Sequence, residues 1–204
     1  FTVRAGTPSK ELQFALGATC EIFGPGNKPL EFDFLRAGDQ VTVDFAPLEG
    51  GKLQAVKIVA RPAADPRTWA IVIAGYQYDD ARLAALPYGA ADMAILRDVF
   101  LLRYRVPPEQ LLVLENNSRL QVEQGLAAFL GRVPADAQLV CYYEGHAVVD
   151  KSAGPILTTK EFDSTRAVET GLAMRSLVGQ LEQCPAREKI LLLDSCHGAA
   201  AEAE

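Results

Sequence analysis

Cys196 and His146 are the residues whose types and settings most directly suggest covalent chemistry. The chain holds only two histidines: His146 in Tyr142-Tyr143-Glu144-Gly145-His146-Ala147, and His197 directly after Cys196 in Leu193-Asp194-Ser195-Cys196-His197-Gly198. A cysteine nucleophile needs an imidazole to take its proton and later return it to the leaving amine, and the two need not be neighbours in sequence. His146 precedes Cys196 by 50 residues. His197, next to the nucleophile, is read as shaping the turn that follows it rather than as the base. Asp194 stands two residues before the cysteine at the end of an apolar run, where an acid is costly unless it is hydrogen-bonded or used. A pocket for a cationic side chain would use it.

These residues need a scaffold that brings distant loops together. From Trp69 onward, strand-sized apolar runs alternate with helical patterns, the signature of a mainly parallel sheet flanked by helices. The strands are read at Ala70 to Ala74, Leu111 to Leu114, Gln138 to Tyr143 and Lys189 to Asp194. Helical spacing recurs in Met93, Leu96 and Phe100, in Val122, Leu126, Phe129 and Leu130, and in Met174, Leu177, Val178 and Leu181. Ser118 followed by Gln121 fits a capping box. Open parallel sheets carry their sites beyond the carboxyl ends of strands. His146 follows the third of these strands and Cys196 the fourth, so if the two strands are neighbours their side chains can meet. The backbone N–H groups of Ala147 and Cys196 are then the candidate donors to the oxyanion of a tetrahedral intermediate.

The first sixty residues read differently. Short β-type runs at Thr19 to Phe23, Leu30 to Phe34, Val41 to Phe45 and Leu53 to Val59, separated by glycine-rich turns, suggest a small antiparallel barrel or sandwich. Alternation of Phe32 with Phe34, and of Val41, Val43 and Phe45, predicts one inward face per strand. The segment Arg61-Pro62-Ala63-Ala64-Asp65-Pro66 breaks the pattern, because two prolines disfavour both helix and sheet pairing. The expected organisation is a small β-barrel-like domain over 1–60, a linker over 61–68, and an α/β domain over 69–204.

Composition narrows the partners. A net charge of −6 argues against nucleic acid and suits basic peptides. The longest apolar runs are far too short to span a bilayer, so no membrane is expected and the cytoplasm is the favoured compartment. Four cysteines, Cys20, Cys141, Cys184 and Cys196, lack C-x-x-C spacing and indicate neither a zinc site nor a disulfide framework. No cofactor or metal is expected. Cys141 and Cys184 are read as core thiols, Cys20 as part of the β-domain and Glu144 as a solvated loop acid.

Tyr142 to Ala147 resembles the Y-Y-S-G-H-G of caspase-like peptidases of the metacaspase and orthocaspase type, and Asp194 to Gly198 resembles the start of their D-S-C-H-S-G. Leu86-Pro87-Tyr88-Gly89-Ala90-Ala91-Asp92 is similar to their L-x-G-x-x-N-D segment. The resemblance covers most of residues 69–198. It implies a caspase-like fold and cleavage after arginine or lysine, with Cys196 and His146 catalytic and Asp92 and Asp194 lining the primary specificity pocket. It further implies a small subunit or carboxyl-terminal segment that completes the sheet beyond Cys196. Bidentate pairing with carboxylate would favour arginine over lysine. The chain departs from the pattern at Glu144 for Ser, Ala147 for Gly, Tyr88 and Ala91 for Gly and Asn, and Gly198-Ala199 for Ser-Gly. It also lacks an acid-rich calcium segment, since Asp150, Glu161 and Asp163 are scattered.

Two rivals stand beside this expectation. One is a peptidase of the same architecture with another specificity; the other is a noncatalytic pseudoprotease or interaction module. The segment Leu35 to Val43 resembles the L-x-x-G-D-x-V-x-V stretch of small bacterial β-barrel modules, in which Gly-Asp marks a turn.

Overall fold

Half-buried alternation in the amino-terminal region resolves into four strands, β1 (Thr2–Ala5), β2 (Lys10–Phe23), β3 (Gln40–Pro47) and β4 (Leu53–Arg61). The computed structural model describes residues 1–195, and its contacts divide the chain into two compact units, Phe1–Ala64 and Asp65–Glu204. In the first unit the strands form one sheet in the order β1-β2-β4-β3, built over Phe14, Ile22, Ala55 and Ile58. Cys20 packs half-buried against this core.

Two expectations for this unit are corrected. The sheet is not wholly antiparallel, because β2 and β4 run parallel while β1–β2 and β3–β4 are antiparallel. Leu30 to Phe34 is not a strand: Phe32–Phe34 form a 3-10 turn after the bridge from Phe23 to Pro29, and Phe32 is exposed. Phe45 continues the inward face of Val41 and Val43: it pairs with the core residue Ala55, and its ring meets that of Phe14 at 5.6 Å between centroids. A register shift between Asp44 and Phe45 leaves Val56 of β4 as the extra residue, and Phe45 is 50% exposed. The Gly38-Asp39 turn is present, with Gly38 at φ 99 and the Asp39 carboxylate accepting from the N–H groups of Arg36 and Ala63 at 2.9 and 3.0 Å.

The second unit alternates strand and helix: β5 (Thr68–Gly75), α1 (Gly89–Asp98), β6 (Leu111–Glu115), α2 (Arg119–Leu130) and β7 (Gln138–Gly145). There follow β8 (Ala147–Asp150), β9 (Gly154–Leu157), α3 (Ala167–Thr170), β10 (Leu172–Ala173), α4 (Met174–Gln183) and β11 (Glu188–Asp194). The main sheet has the order β11-β7-β5-β6 with every neighbouring pair parallel, and β10-β9-β8 make a small antiparallel sheet.

Side-chain alternation on the central strands splits the core into two layers. Trp69, Ile71, Ile73, Leu139, Cys141 and Tyr143 face Val122, Leu126 and Phe129 of α2 and Leu177 and Leu181 of α4. Ala70, Val72 and Ala74 face Met93 of α1 and Phe100 of the π-helical turn that extends it, with Val140 and Tyr142 packed against this group. All eight residues of β5 are buried, which is why a continuous apolar run, rather than an alternating one, encodes the middle of this sheet. The Ser118–Gln121 capping box starts α2. This is the α/β fold expected from the sequence, a mainly parallel sheet flanked by helices and preceded by a small β-domain.

Candidate active site

His146 sits immediately beyond β7, in a frame of hydrogen bonds that fixes its backbone and its ring. Its carbonyl accepts from the Thr158 N–H at 3.0 Å and the Tyr143 hydroxyl at 2.8 Å, with Thr158 Oγ1 at 2.9 Å. Its own N–H donates to the Tyr78 hydroxyl at 3.2 Å, and that hydroxyl donates in turn to the Gly75 carbonyl. The Tyr78 and His146 rings lie side by side, 5.2 Å between centroids. Gly145 is required here by close approach: a Cβ would stand 2.6 Å from the Tyr143 hydroxyl and 3.0 Å from the Gly75 carbonyl oxygen.

The ring has one further contact. Nε2 lies 2.8 Å from the carbonyl oxygen of Ala84, in the connection between β5 and α1. A carbonyl can only accept, so Nε2 carries the proton in this bond, and in the neutral ring Nδ1 keeps the lone pair. The connection that supplies this carbonyl is braced. Asp80 accepts from Arg82 at 2.8 Å and from Ser164, Arg82 reaches Asp163 at 3.0 Å, and Lys160 pairs with Asp79 at 3.0 Å. The Arg82 guanidinium holds the Asp80 carboxyl well below the usual carboxylate range.

Ala147 opens β8 with its backbone N–H turned out of the ladder. It pairs with Leu157, and the bond from the Thr158 N–H to the His146 carbonyl makes this the pair that exchanges no hydrogen bonds. The Ala147 N–H therefore points away from β9. Its Cβ is buried within an ordinary extended strand, so alanine in place of glycine introduces no left-handed backbone here.

The acids gather on one side of the sheet. β11 and β7 are adjacent and parallel, with Asp194 opposite Glu144 and Leu192 opposite Tyr142. The Tyr142 hydroxyl donates to Asp194 at 2.9 Å. Asp92 lies in the first turn of α1, the helix covering this face. Asp92 and Asp194 are exposed and Glu144 is buried. Burial, and then the charges of Asp92 and Asp194, push the Glu144 carboxyl up. Burial and the Asp194 carboxylate likewise push the Tyr142 phenol up.

Glu144 thus corrects the reading of a solvated loop acid. The parallel pairing carries β7 two residues past Tyr143, to Gly145, and takes Glu144 into the sheet. Cys196, its N–H and His197 lie outside the described residues, which end one residue past β11 at Ser195. Cys141 and Cys184 are buried, and burial pushes the Cys141 thiol up to about 12, as suits a core thiol rather than a nucleophile.

Other acids are engaged locally. Asp150 closes a turn by accepting from the N–H groups of Ser152 and Ala153, and Asp163 accepts from Thr165 as well as Arg82. Among the described residues no three histidine, cysteine or acidic side chains are gathered as a metal site, and no helix is long and apolar enough to cross a membrane. A cavity of about 870 Å³ in the first unit, walled by Phe1, Val3, Phe32, Leu35 and Val41, contains none of the candidate site residues.

Sequence reasoning did not find Ala84, Tyr78, Thr158 or the buried state of Glu144. Ala84 acts through a backbone carbonyl, which leaves no mark on residue type. Thr158 follows a strand of four residues, too short for periodicity to reveal.

No family model matches the chain, and no curated protein matches it in sequence. In three dimensions it is similar to a crystal structure of caspase-1 from Spodoptera frugiperda, with a TM-score of 0.51 and 17% identity over 65% of this chain and 48% of that one. It is similar also to a structure of pro-sf-caspase-1, with a TM-score of 0.52 and 16% identity over 70% of this chain and 50% of that one. The fold is caspase-like. The chain spans about half the length of these neighbours.

Proposed function

We propose that this chain is the larger part of a caspase-like cysteine endopeptidase of the metacaspase or orthocaspase type, cleaving after arginine and less readily after lysine. The observation that carries the reading is the His146 ring, held at the carboxyl end of β7 by the Ala84 carbonyl with Nδ1 left to act as base. The neighbouring strand β11 leads directly into Asp194-Ser195-Cys196.

In this mechanism His146 Nδ1 takes the Cys196 proton and the sulfur attacks the scissile carbonyl. The oxygen that becomes negative accepts from the N–H groups of Ala147 and Cys196. Collapse breaks the C–N bond, and the amine leaves with the proton held by His146. Water, deprotonated by the same imidazole, then releases the acyl group and restores the thiol. Asp92 and Asp194 receive the basic side chain that precedes the bond. The imidazolium formed in each half-reaction keeps its Nε2–H bond to Ala84, so the ring need not turn between steps.

A second segment completing the sheet is part of the proposal. β11 is an edge strand of the main sheet among the described residues, and Ile190 and Leu192 on it are 51% and 46% exposed. Apolar edges of this kind invite a further strand.

The test is to incubate the complete protein, beside its Cys196→Ala form, with matched fluorogenic peptides bearing Arg, Lys or Asp before the scissile bond. Cleavage after Arg that vanishes in Cys196→Ala is expected. Preference for Asp overturns the acidic pocket, and cleavage that survives in Cys196→Ala overturns the nucleophile.

A further inference from the structure

Glu144 is a buried acid without the partner that burial requires. The residue is 7% exposed, and its Oε2 atom is buried with no hydrogen-bond donor in reach among the described residues. Removing a carboxylate from water without compensation is costly, and proteins ordinarily pair such groups or bring a cation to them. Among the described residues no arginine or lysine is seen paired with it. The charged groups that act on it are acids, Asp92 from α1 and Asp194 from β11.

The three carboxylates differ in depth. Asp92 and Asp194 are exposed, while Glu144, beside Asp194 in the same sheet, is buried. Tyr142 takes up one Asp194 oxygen and leaves Glu144 Oε2 unserved. The resembling motif carries serine at this position, so the acid is a departure of this chain rather than part of the pattern.

We infer that Glu144 is a third specificity-determining residue, the floor of the pocket, whose buried carboxylate pairs with the guanidinium of a substrate arginine held at its mouth by Asp92 and Asp194. This rests on the reading of the site as a protease specific for basic residues. A guanidinium suits the arrangement because its five N–H donors lie in one plane and can serve more than one carboxylate at once. It is also more weakly hydrated than an ammonium, so carrying it down to a buried acid costs less. Lysine, with a compact and strongly hydrated charge, gains less from the floor, and Glu144 therefore sharpens the preference for arginine.

The test compares wild type, Glu144→Gln and Glu144→Ser in the complete protein, on matched peptides with arginine, lysine or citrulline before the scissile bond. Citrulline keeps the shape of arginine without its charge. Binding is measured in the Cys196→Ala background by calorimetry, with arginine and citrulline versions of one peptide. Glu144→Gln is expected to lower kcat/KM for arginine by about ten- to a hundred-fold, mainly through KM. Arginine binding should weaken by a similar factor and citrulline binding should hold steady. Glu144→Ser, which restores the residue of the resembling motif, should narrow the ratio of arginine to lysine cleavage. Arginine cleavage unchanged in both variants overturns the role of Glu144 and leaves the protease reading intact. Failure of wild type to cleave after arginine, with equal binding of the two peptides, overturns both. Stabilisation of wild type by millimolar calcium, lost in Glu144→Gln and not reproduced by the arginine peptide, makes the floor a metal site and also overturns the inference.

Discussion

Asp194 and Glu144 are directly opposed in the parallel ladder of β11 and β7, so their carboxylates leave the sheet on the same face, the one covered by α1. Paired residues of parallel strands share a face by construction. Two acids in register at the end of neighbouring strands concentrate negative charge where the sheet opens, and Asp92 adds to it. Such an arrangement favours binding a cation over the stability of the empty fold.

That trade can be measured in the absence of substrate. Burial, Asp92 and Asp194 raise the Glu144 carboxyl above its ordinary value of 4.5, with Tyr142, Tyr76 and Tyr78 as its other titratable neighbours. The native state then holds the Glu144 proton more tightly than the unfolded chain does. Between the two pKa values the folded protein binds more protons, so stability falls as pH rises through that window and stays lower above it. Glu144→Gln removes this loss. Its melting temperature should exceed that of wild type by a few degrees at neutral pH and converge with it below the unfolded carboxyl range. Melts recorded across the acid and neutral range decide the matter, and a variant less stable than wild type at neutral pH would show that Glu144 is already paired.

If His146 and Cys196 act as one unit, their losses will not add. Cys196→Ala and His146→Ala should each lower kcat/KM by about a thousandfold or more, and the double variant should be no worse than the poorer single one. Independent roles would multiply the two losses instead. Rates measured with one arginine peptide across the four proteins distinguish these cases.

In the proposed pocket Tyr142 is a positioning residue for Asp194. Its hydroxyl holds the carboxylate at 2.9 Å, and Asp194 is otherwise exposed to water. Removing the hydroxyl leaves the charge in place but frees its orientation. Tyr142→Phe should therefore raise KM for arginine peptides by roughly three- to tenfold, leave kcat nearly unchanged and hardly move the melting temperature. A fall in kcat at constant KM would mean that Tyr142 serves the reacting groups instead.

The sheet and its helices were legible in the sequence because buried parallel strands are written as unbroken apolar runs, as in Ala70 to Ala74, and their helices as apolar residues three and four apart. The positions of His146 and Asp194 at strand ends followed from that. Glu144 did not, since an acid after Tyr143 reads as the start of a loop. Only its partners, Ala74 on β5 and Asp194 on β11, keep it within the sheet. Leu30 to Phe34 misled in the opposite direction, because Phe32 and Phe34 alternate like strand residues while their backbone closes a 3-10 turn. The strands β8 to β10, two to four residues long, offer too little length for any period to register. The Ala84 carbonyl that orients the imidazole could have come from any residue.

Gly145 tests whether the frame around His146 matters to chemistry apart from stability. A Cβ there meets the Tyr143 hydroxyl and the Gly75 carbonyl, so Gly145→Ala must displace either the tyrosine that braces the His146 carbonyl or the backbone at the end of β5. The expected destabilisation is about 1–3 kcal/mol. Activity should fall further than the folded fraction explains, because in the proposed mechanism moving the His146 backbone moves Nδ1 relative to the thiol. Gly179 in α4 supplies the comparison: a Cβ there meets nothing within 4 Å, so Gly179→Ala should stabilise by about 0.5–1 kcal/mol and leave kcat untouched. Melting temperature and kcat measured on both variants separate the effects. If Gly145→Ala loses stability yet keeps the wild-type kcat in its folded fraction, then the hydrogen bonds around the His146 carbonyl serve the fold alone.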